Sequence, residues 1–232
     1  MTAGPALKIL ATNPASAPST GTEACEEIRV LAGHSGARVT LCRRGSSSIV
    51  RKRAANPEAN ARLIRQVEKQ RLLTAHGIAF PRVLTQGTDA SGLAFFEMEY
   101  VPARTLAATI AMAGSYNRTA VLGAVDNMLW LFRRAATDEI PAAIFTSKID
   151  SVASSCSQHV PAVPHAKTIA AARDALVERC WTGIPASPSH GDLTLENILI
   201  SPHRGVVLID CDETFASSFW LDAGKLFQDI AG

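Results

Sequence analysis

No stretch of this 232-residue sequence approaches the ~20 consecutive apolar residues that a membrane-crossing helix needs. The apolar patch at residues 7–11 is only five residues long and is broken by Lys8, too short for the core of a secretory leader. The five cysteines, Cys25, Cys42, Cys156, Cys180 and Cys211, contain no CxxC spacing and form no even set. That pattern argues against a disulfide framework and fits a reducing compartment. Charge is modest as well: 19% of residues are charged and the net charge is +2, which gives no reason to expect nucleic acid or an acidic membrane surface as the main partner. Internal repeats and coiled-coil heptads are absent. These absences lead to the expectation of a cytoplasmic globular protein with no membrane span and no nucleic-acid partner.

What is present is an ordinary globular composition, 47% hydrophobic, in a chain long enough for one large domain or for two lobes sharing a cleft. Residues 1–24 read as a flexible tail, rich in Ala, Pro, Ser, Thr and Gly. Residues 28–31, 38–42 and 49–52 read as three strands joined by tight turns, an antiparallel meander. Strand periodicity places Val50 and Lys52 on one face of it, and Ile49 and Arg51 on the other. Asn56-Pro57-Glu58 marks a helix start, and Leu63, Ile64, Val67, Leu72 and Leu73 roughly follow helical spacing up to a stop at His76-Gly77. Residues 81–84 and 93–101 read as two more strands, giving five strands and one helix over residues 25–101. Residues 102–232 read as mostly helical, with helices expected at 117–136, 169–181 and from Asp222 onward, and no assignment at 151–165.

The most informative stretch is HGDLTLENILISPHRGVVLIDCD, residues 190–212. Two apolar runs flank a Pro-His-Arg-Gly turn and predict a short hairpin with four polar residues, His190, Asp192, Asn197 and Asp210, at its ends. Folding back brings Asp210 close to Asn197, and two oxygen ligands side by side in a dry cleft suit Mg²⁺. The order H-x-D-x-x-x-x-N followed by a strand ending in Asp is the spacing used in phosphoryl transfer, where a carboxylate receives or orients a hydroxyl proton and hard oxygens hold Mg²⁺ between phosphates. The competing reading is a polar turn with two capping acids.

Earlier elements are individually ambiguous. The loop Gly33, His34, Ser35, Gly36, Ala37 could let backbone N–H groups approach phosphate oxygens, or could be a plain hairpin turn. It is not a Walker A loop, because no GK[ST] follows and it opens no helix. Lys52 is either a phosphate-binding lysine or a solvent-facing one between Arg51 and Arg53. Glu68 is either its orienting acid or a solvated helix position, and the two gain meaning only together.

With these residues in order, the chain resembles the protein-kinase-like superfamily, in its aminoglycoside/choline phosphotransferase branch of small-molecule kinases. The resemblance implies an α+β, two-lobed fold: an antiparallel five-stranded sheet plus helix at 25–101 that binds nucleotide, and a mostly helical lobe with the catalytic hairpin at 102–232. It implies ATP and Mg²⁺. Gly33, His34, Ser35, Gly36 and Ala37 then correspond to the nucleotide loop, Lys52 to the phosphate-binding lysine and Glu68 to its helical partner. Met98, Glu99, Tyr100 and Val101 correspond to the adenine-binding hinge, Asp192 to the catalytic base, Asn197 and Asp210 to the Mg²⁺ ligands, and Asp222 to the acid bracing the catalytic loop.

There are departures. Thr194 stands where protein kinases usually carry a lysine two residues after the base, and Asp210-Cys211-Asp212 replaces Asp-Phe-Gly. Nine residues between Asp212 and Asp222 leave no room for an activation segment. Asp212 is either a third metal-proximal acid or an exposed residue, and His190 is read as bracing the loop. A small-molecule alcohol is the expected acceptor. Residues 104–179 carry eight basic and six acidic side chains, which favours a sugar or other neutral or anionic alcohol over an aminoglycoside. The sequence reaches only shortly past Asp222, so the acceptor wall is reduced, truncated, or completed by a partner or a second copy of the chain. The rival functions are a nucleotide-binding scaffold without catalysis and a compact atypical protein kinase.

Overall fold

Alternating apolar and polar residues at the start of the described chain form three antiparallel strands, β1 (Glu26–Leu31), β2 (Arg38–Arg44) and β3 (Ser47–Arg53). The turn between β2 and β3 is made at Gly45, whose φ of 57° is in the left-handed region that glycine enters without strain. A helical turn capped by the Asn56 side chain, which accepts the Ala59 N–H at 2.9 Å, then leads into α1 (Asn60–Ala75). Strands β4 (Val83–Thr88) and β5 (Ala94–Glu99) complete a five-stranded sheet of order β1-β2-β3-β5-β4. Helix α1 buries Leu63 and Val67 against Ala54, Ala94 and Phe96 of this sheet. The structure, a computed structural model, describes residues 25–31, 36–112, 118–159, 165–178 and 184–231.

The rest is mostly helical: β6 (Arg104–Thr105), α2 (Leu106–Ala111), α3 (Arg118–Arg134), β7 (Asp138–Ile140), α4 (Ala142–His159), α5 (His165–Glu178) and β8 (Ile184–Ala186). They are followed by β9 (Ile198–Ser201), β10 (Gly205–Leu208) and α6 (Phe219–Ala231). The expected hairpin is β9–β10, with register from Ser201 opposite Gly205 to Ile198 opposite Leu208. The expected sheet-plus-helix followed by a helical region is thus present.

Several details differ from expectation, among them the short antiparallel pair β7–β8, which was not anticipated. The unassigned stretch is mostly the second half of α4, a serine-rich helix that packs on α5 and ends just before the prolines. The strand anticipated at 81–84 begins at Val83 and continues to Thr88, carried by its pairing with β5. The two-residue strand β6, which adds a third strand to the hairpin, and the short helix α2 were not anticipated. The expected tail at 1–24 lies outside the described residues.

The largest buried cluster joins both halves beneath the hairpin. Leu73 of α1 and Phe80 meet Leu106, Met128 and Phe132, and these meet Leu193, Ile198, Leu208 and Leu226. Backbone bonds reinforce the junction: Leu208 N–H donates to Ala79 O at 2.8 Å. Burial of this many large side chains, each worth about 1.5–3 kcal/mol relative to exposure, makes the hairpin a rigid support.

Candidate active site

Both ends of the hairpin open into one cleft of about 660 Å³, lined on the sheet side by Val39, Val50, Lys52 and Met98 and on the hairpin side by Asp192, Asn197 and Asp210. Lys52 is buried, 3% exposed, and its ammonium pairs with Asp210 Oδ1. A buried ammonium is tolerated only when paired. The expected partner does not supply that pair. Glu68 is exposed on α1 and has no ion pair with Lys52, because the buried stripe Leu63, Gln66, Val67, Gln70 and Leu73 fixes the helix phase and turns Glu68 away.

Asp210 itself has a φ of 61°, uncommon for a residue other than glycine, though Asp tolerates it. The adjacent Ile209 N–H donates to Asn197 O at 3.0 Å, which brings the two hairpin ends together as the spacing predicted. Asn197 Nδ2 donates to Asp192 O at 2.8 Å and lies 3.3 Å from Asp192 Oδ2. That fixes the amide so that its oxygen is the end left for another ligand. Asn197 Oδ1 and Asp210 Oδ2 make no hydrogen bond among the described residues, and two hard oxygens of this kind fit the preferences of Mg²⁺.

The loop carrying Asp192 is held from three sides. Asp222, fully buried on α6, accepts the His190 N–H at 2.6 Å and the Gly191 N–H at 2.7 Å, the bracing role anticipated for it. Burial pushes its carboxyl up to about 6, against the opposing pull of those two N–H groups. His190 is also fully buried, stacked on Phe80 with ring centroids 5.9 Å apart. Its Nε2 lies 2.8 Å from Ile209 O, and Asp192 N–H lies 3.3 Å from its Nδ1. This is a neutral ring donating at Nε2, and burial accordingly lowers its pKa to about 4. Gly191 has a φ of 93°, and a Cβ there would run into the backbone carbonyl of Asp212.

Several site residues were not singled out from sequence. Arg62 lines the cleft and binds the Asp212 carboxylate, and Lys69 donates to the Asp212 carbonyl. Burial would raise the Asp212 carboxyl, but Arg62 and the Glu213 N–H outweigh it and hold it below the ordinary range. Asp212 is therefore half-buried and committed to an arginine. Burial lowers the Lys69 ammonium and raises the Cys211 thiol to about 12, so Cys211 is a packed side chain without thiolate character. Lys225 of α6 places its ammonium 3.3 Å from Asp192 Oδ1, and Asp229 accepts the Leu195 N–H at 2.6 Å. The legible signal for α6 was the spacing of Asp222, Lys225 and Asp229 on one helix face.

Met98, Glu99, Tyr100 and Val101 line the cleft as one strand end. Glu99 N–H donates to Arg82 O at 3.0 Å and Tyr100 N–H to Ser48 O at 3.4 Å, whereas the Val101 N–H has no partner among the described residues. The Glu99 carboxylate accepts the Arg82 N–H at 3.0 Å and pairs with Arg204 of the hairpin turn. Of the glycine loop, Gly33, His34 and Ser35 lie outside the described residues. Gly36 has a φ of 74°, with open space where a Cβ would stand, and Ala37 precedes β2.

Residues 27–231 match the family described as "Phosphotransferase enzyme family". Among solved structures, the GDP and kanamycin complex of APH(2")-IIia is similar at 15% identity and a TM-score of 0.68, over 90% of this chain and 74% of that one. Aminoglycoside-3'-phosphotransferase of type VIII is similar at 22% identity and a TM-score of 0.54, over 90% and 78%. A thermostable mutant of APH(4)-Ia in ternary complex with ADP and hygromycin B is similar at 17% identity and a TM-score of 0.56, over 88% and 72%. No curated protein matches the sequence.

Proposed function

Because the chain belongs to the phosphotransferase enzyme family, we propose that it is an ATP- and Mg²⁺-dependent kinase that phosphorylates a hydroxyl of a small molecule, a sugar or sugar-like metabolite. The observation that carries this reading is the convergence of Lys52, Asp192, Asn197 and Asp210 on one cleft, from two elements more than a hundred residues apart in sequence. The reading assigns adenine to the strand end at Met98, Glu99, Tyr100 and Val101, where the unpartnered Val101 N–H is a donor. Lys52 serves the phosphates, with Gly33, His34, Ser35, Gly36 and Ala37 as the loop over them. Glu68, exposed on α1, has no part in it.

Asn197 and Asp210 would hold Mg²⁺, which supplies charge neutralisation between the phosphates. Asp192 accepts or orients the proton of the acceptor hydroxyl, and Lys52 favours the charge building on the transferring group. Asn197 keeps Asp192 in place through its 2.8 Å bond to the Asp192 carbonyl. The solved relatives include complexes with kanamycin and with hygromycin B. For this chain a polycationic acceptor is disfavoured, because the Lys225 ammonium already lies against the proposed base. A panel of sugars, aminoglycosides, choline and amino alcohols, scored by ADP release from Mg–ATP, tests the assignment. A sugar or sugar-like alcohol is expected to stimulate release most, and stimulation confined to aminoglycosides, or to a protein acceptor, contradicts it.

A further inference from the structure

We propose, resting on the phosphotransferase reading above, that Lys225 is a catalytic residue whose ammonium supplies the positive charge beside Asp192 during transfer. Helix α6 reads the catalytic loop residue by residue. Asp222 takes the N–H groups of His190 and Gly191, Lys225 meets the side chain of Asp192, and Asp229 takes the N–H of Leu195. The three are spaced i, i+3 and i+7, so they share one face of the helix. Asp222 and Asp229 both bind backbone, and Lys225 alone touches the group that would react.

The sequence explains why a cation is wanted there. The position two residues after the base, which is lysine in the protein kinases the motif resembles, is Thr194, and its side chain makes no hydrogen bond to the following turn. The other cations around the loop are committed elsewhere, Lys52 to Asp210 and Arg62 and Lys69 to Asp212. The Lys225 side chain is 47% exposed and that of Asp192 43%. An exposed ion pair of this kind contributes little to stability. Its significance is chemical, because a flexible, exposed ammonium 3.3 Å from the proposed base can follow charge as it moves from the base to the transferred group.

The step is a balanced displacement. The acceptor oxygen forms a bond to the γ-phosphorus of ATP while the bond from that phosphorus to the β,γ-bridging oxygen breaks. The hydroxyl proton passes to the Asp192 carboxylate, and ADP leaves with the electron pair of the broken bond. As Asp192 is neutralised, the Lys225 ammonium loses its partner and is free to pair with the oxygens of the transferring phosphoryl group.

The test compares the wild type, Lys225→Met, Lys225→Arg and the double variant Lys225→Met/Thr194→Lys, reading ADP release from Mg–ATP with water and with the acceptor panel. Removing one charge-stabilising donor typically lowers turnover by about 10²-fold or more. Lys225→Met is therefore expected to lower kcat by about 100-fold, with the KM for ATP and the circular dichroism spectrum little changed. Thr194→Lys in the same chain is expected to restore at least about tenfold of that loss, because it returns a cation to Asp192 from the loop itself. Lys225→Arg should fall between. Turnover in Lys225→Met within threefold of wild type overturns the inference, as does a loss that neither Arg nor the second-site lysine recovers. If Asp192→Asn abolishes turnover while Lys225→Met does not, the phosphotransferase reading stands and this inference alone fails. If the wild type releases no ADP with any acceptor, both fall.

Discussion

His190 is held between the two halves of the candidate site, its Nε2 on the Ile209 carbonyl and its Nδ1 facing the Asp192 N–H. It can satisfy both only as a neutral ring. Unfolded, an imidazole titrates near 6.5, and here burial lowers it to about 4. The residue's contribution is therefore fully present above pH 6.5 and is lost as pH falls toward about 4, because only the unfolded state gains a proton in that window. At about 1.4 kcal/mol per pH unit, the loss is about 3 kcal/mol. Asp222 acts with the opposite sign. Its carboxyl moves from 3.8 up to about 6, so its contribution is fully present below pH 3.8 and is lost as pH rises through about 6. In the wild type the two nearly cancel between pH 4 and 6. In His190→Gln only the Asp222 effect remains, so unfolding free energy relative to wild type should rise by up to about 3 kcal/mol on going from pH 7 to pH 4. Denaturant unfolding across that range measures it, and parallel curves for the two proteins contradict it.

At the scale of elements, the sheet is pinned on its outer face by a buried charge. Glu97 on β5 is fully buried and pairs with Arg44 of β2 and Arg51 of β3, each at 2.5 Å. Removing one partner of a buried pair leaves uncompensated charge, so Glu97→Ala should lower the unfolding free energy by about 3 kcal/mol. Urea unfolding at unchanged m-value is the measurement, and a loss under about 1 kcal/mol, the range of exposed pairs, contradicts the account. The outer face of β3 was legible, because period-two alternation puts Arg51 opposite Lys52. Helix α1 was legible as an element but its phase was not. Ile64 and Leu72 are exposed, so the apolar residues alone mark too wide a stripe, and two buried glutamines, Gln66 and Gln70, complete the inward face. That is why Glu68 read as a partner for Lys52 and sits on the outside. Helix α4 escaped because its serines and scattered apolar residues carry a weak helical period. The ends of the hairpin were legible, since antiparallel pairing with a short turn, Pro202–Arg204 in the structure, leaves little freedom in where Asn197 and Asp210 meet.

For the whole molecule, the consequence is that the two halves meet through charge as well as apolar packing. Arg62, Arg65 and Lys69 on α1 grip Asp212 and Glu213, Arg204 of the hairpin turn holds Glu99, and Lys52 reaches Asp210. None of these cross-cleft pairs can be read from sequence, because each joins residues about a hundred positions apart or more and their identity depends on helix phase and on how the hairpin docks. The cleft they frame brings a carboxylate, an amide and a lysine to one place, and the central claim is that this place transfers a phosphoryl group through Asp192. The most direct measurement is single-site substitution Asp192→Asn, with Mg–ATP binding followed by calorimetry and turnover by ADP release. Losing the group that takes the hydroxyl proton is expected to lower turnover by about 10²–10⁴-fold. That loss should come with ATP affinity kept within a few-fold of wild type, and turnover in the variant equal to that of wild type would contradict the claim.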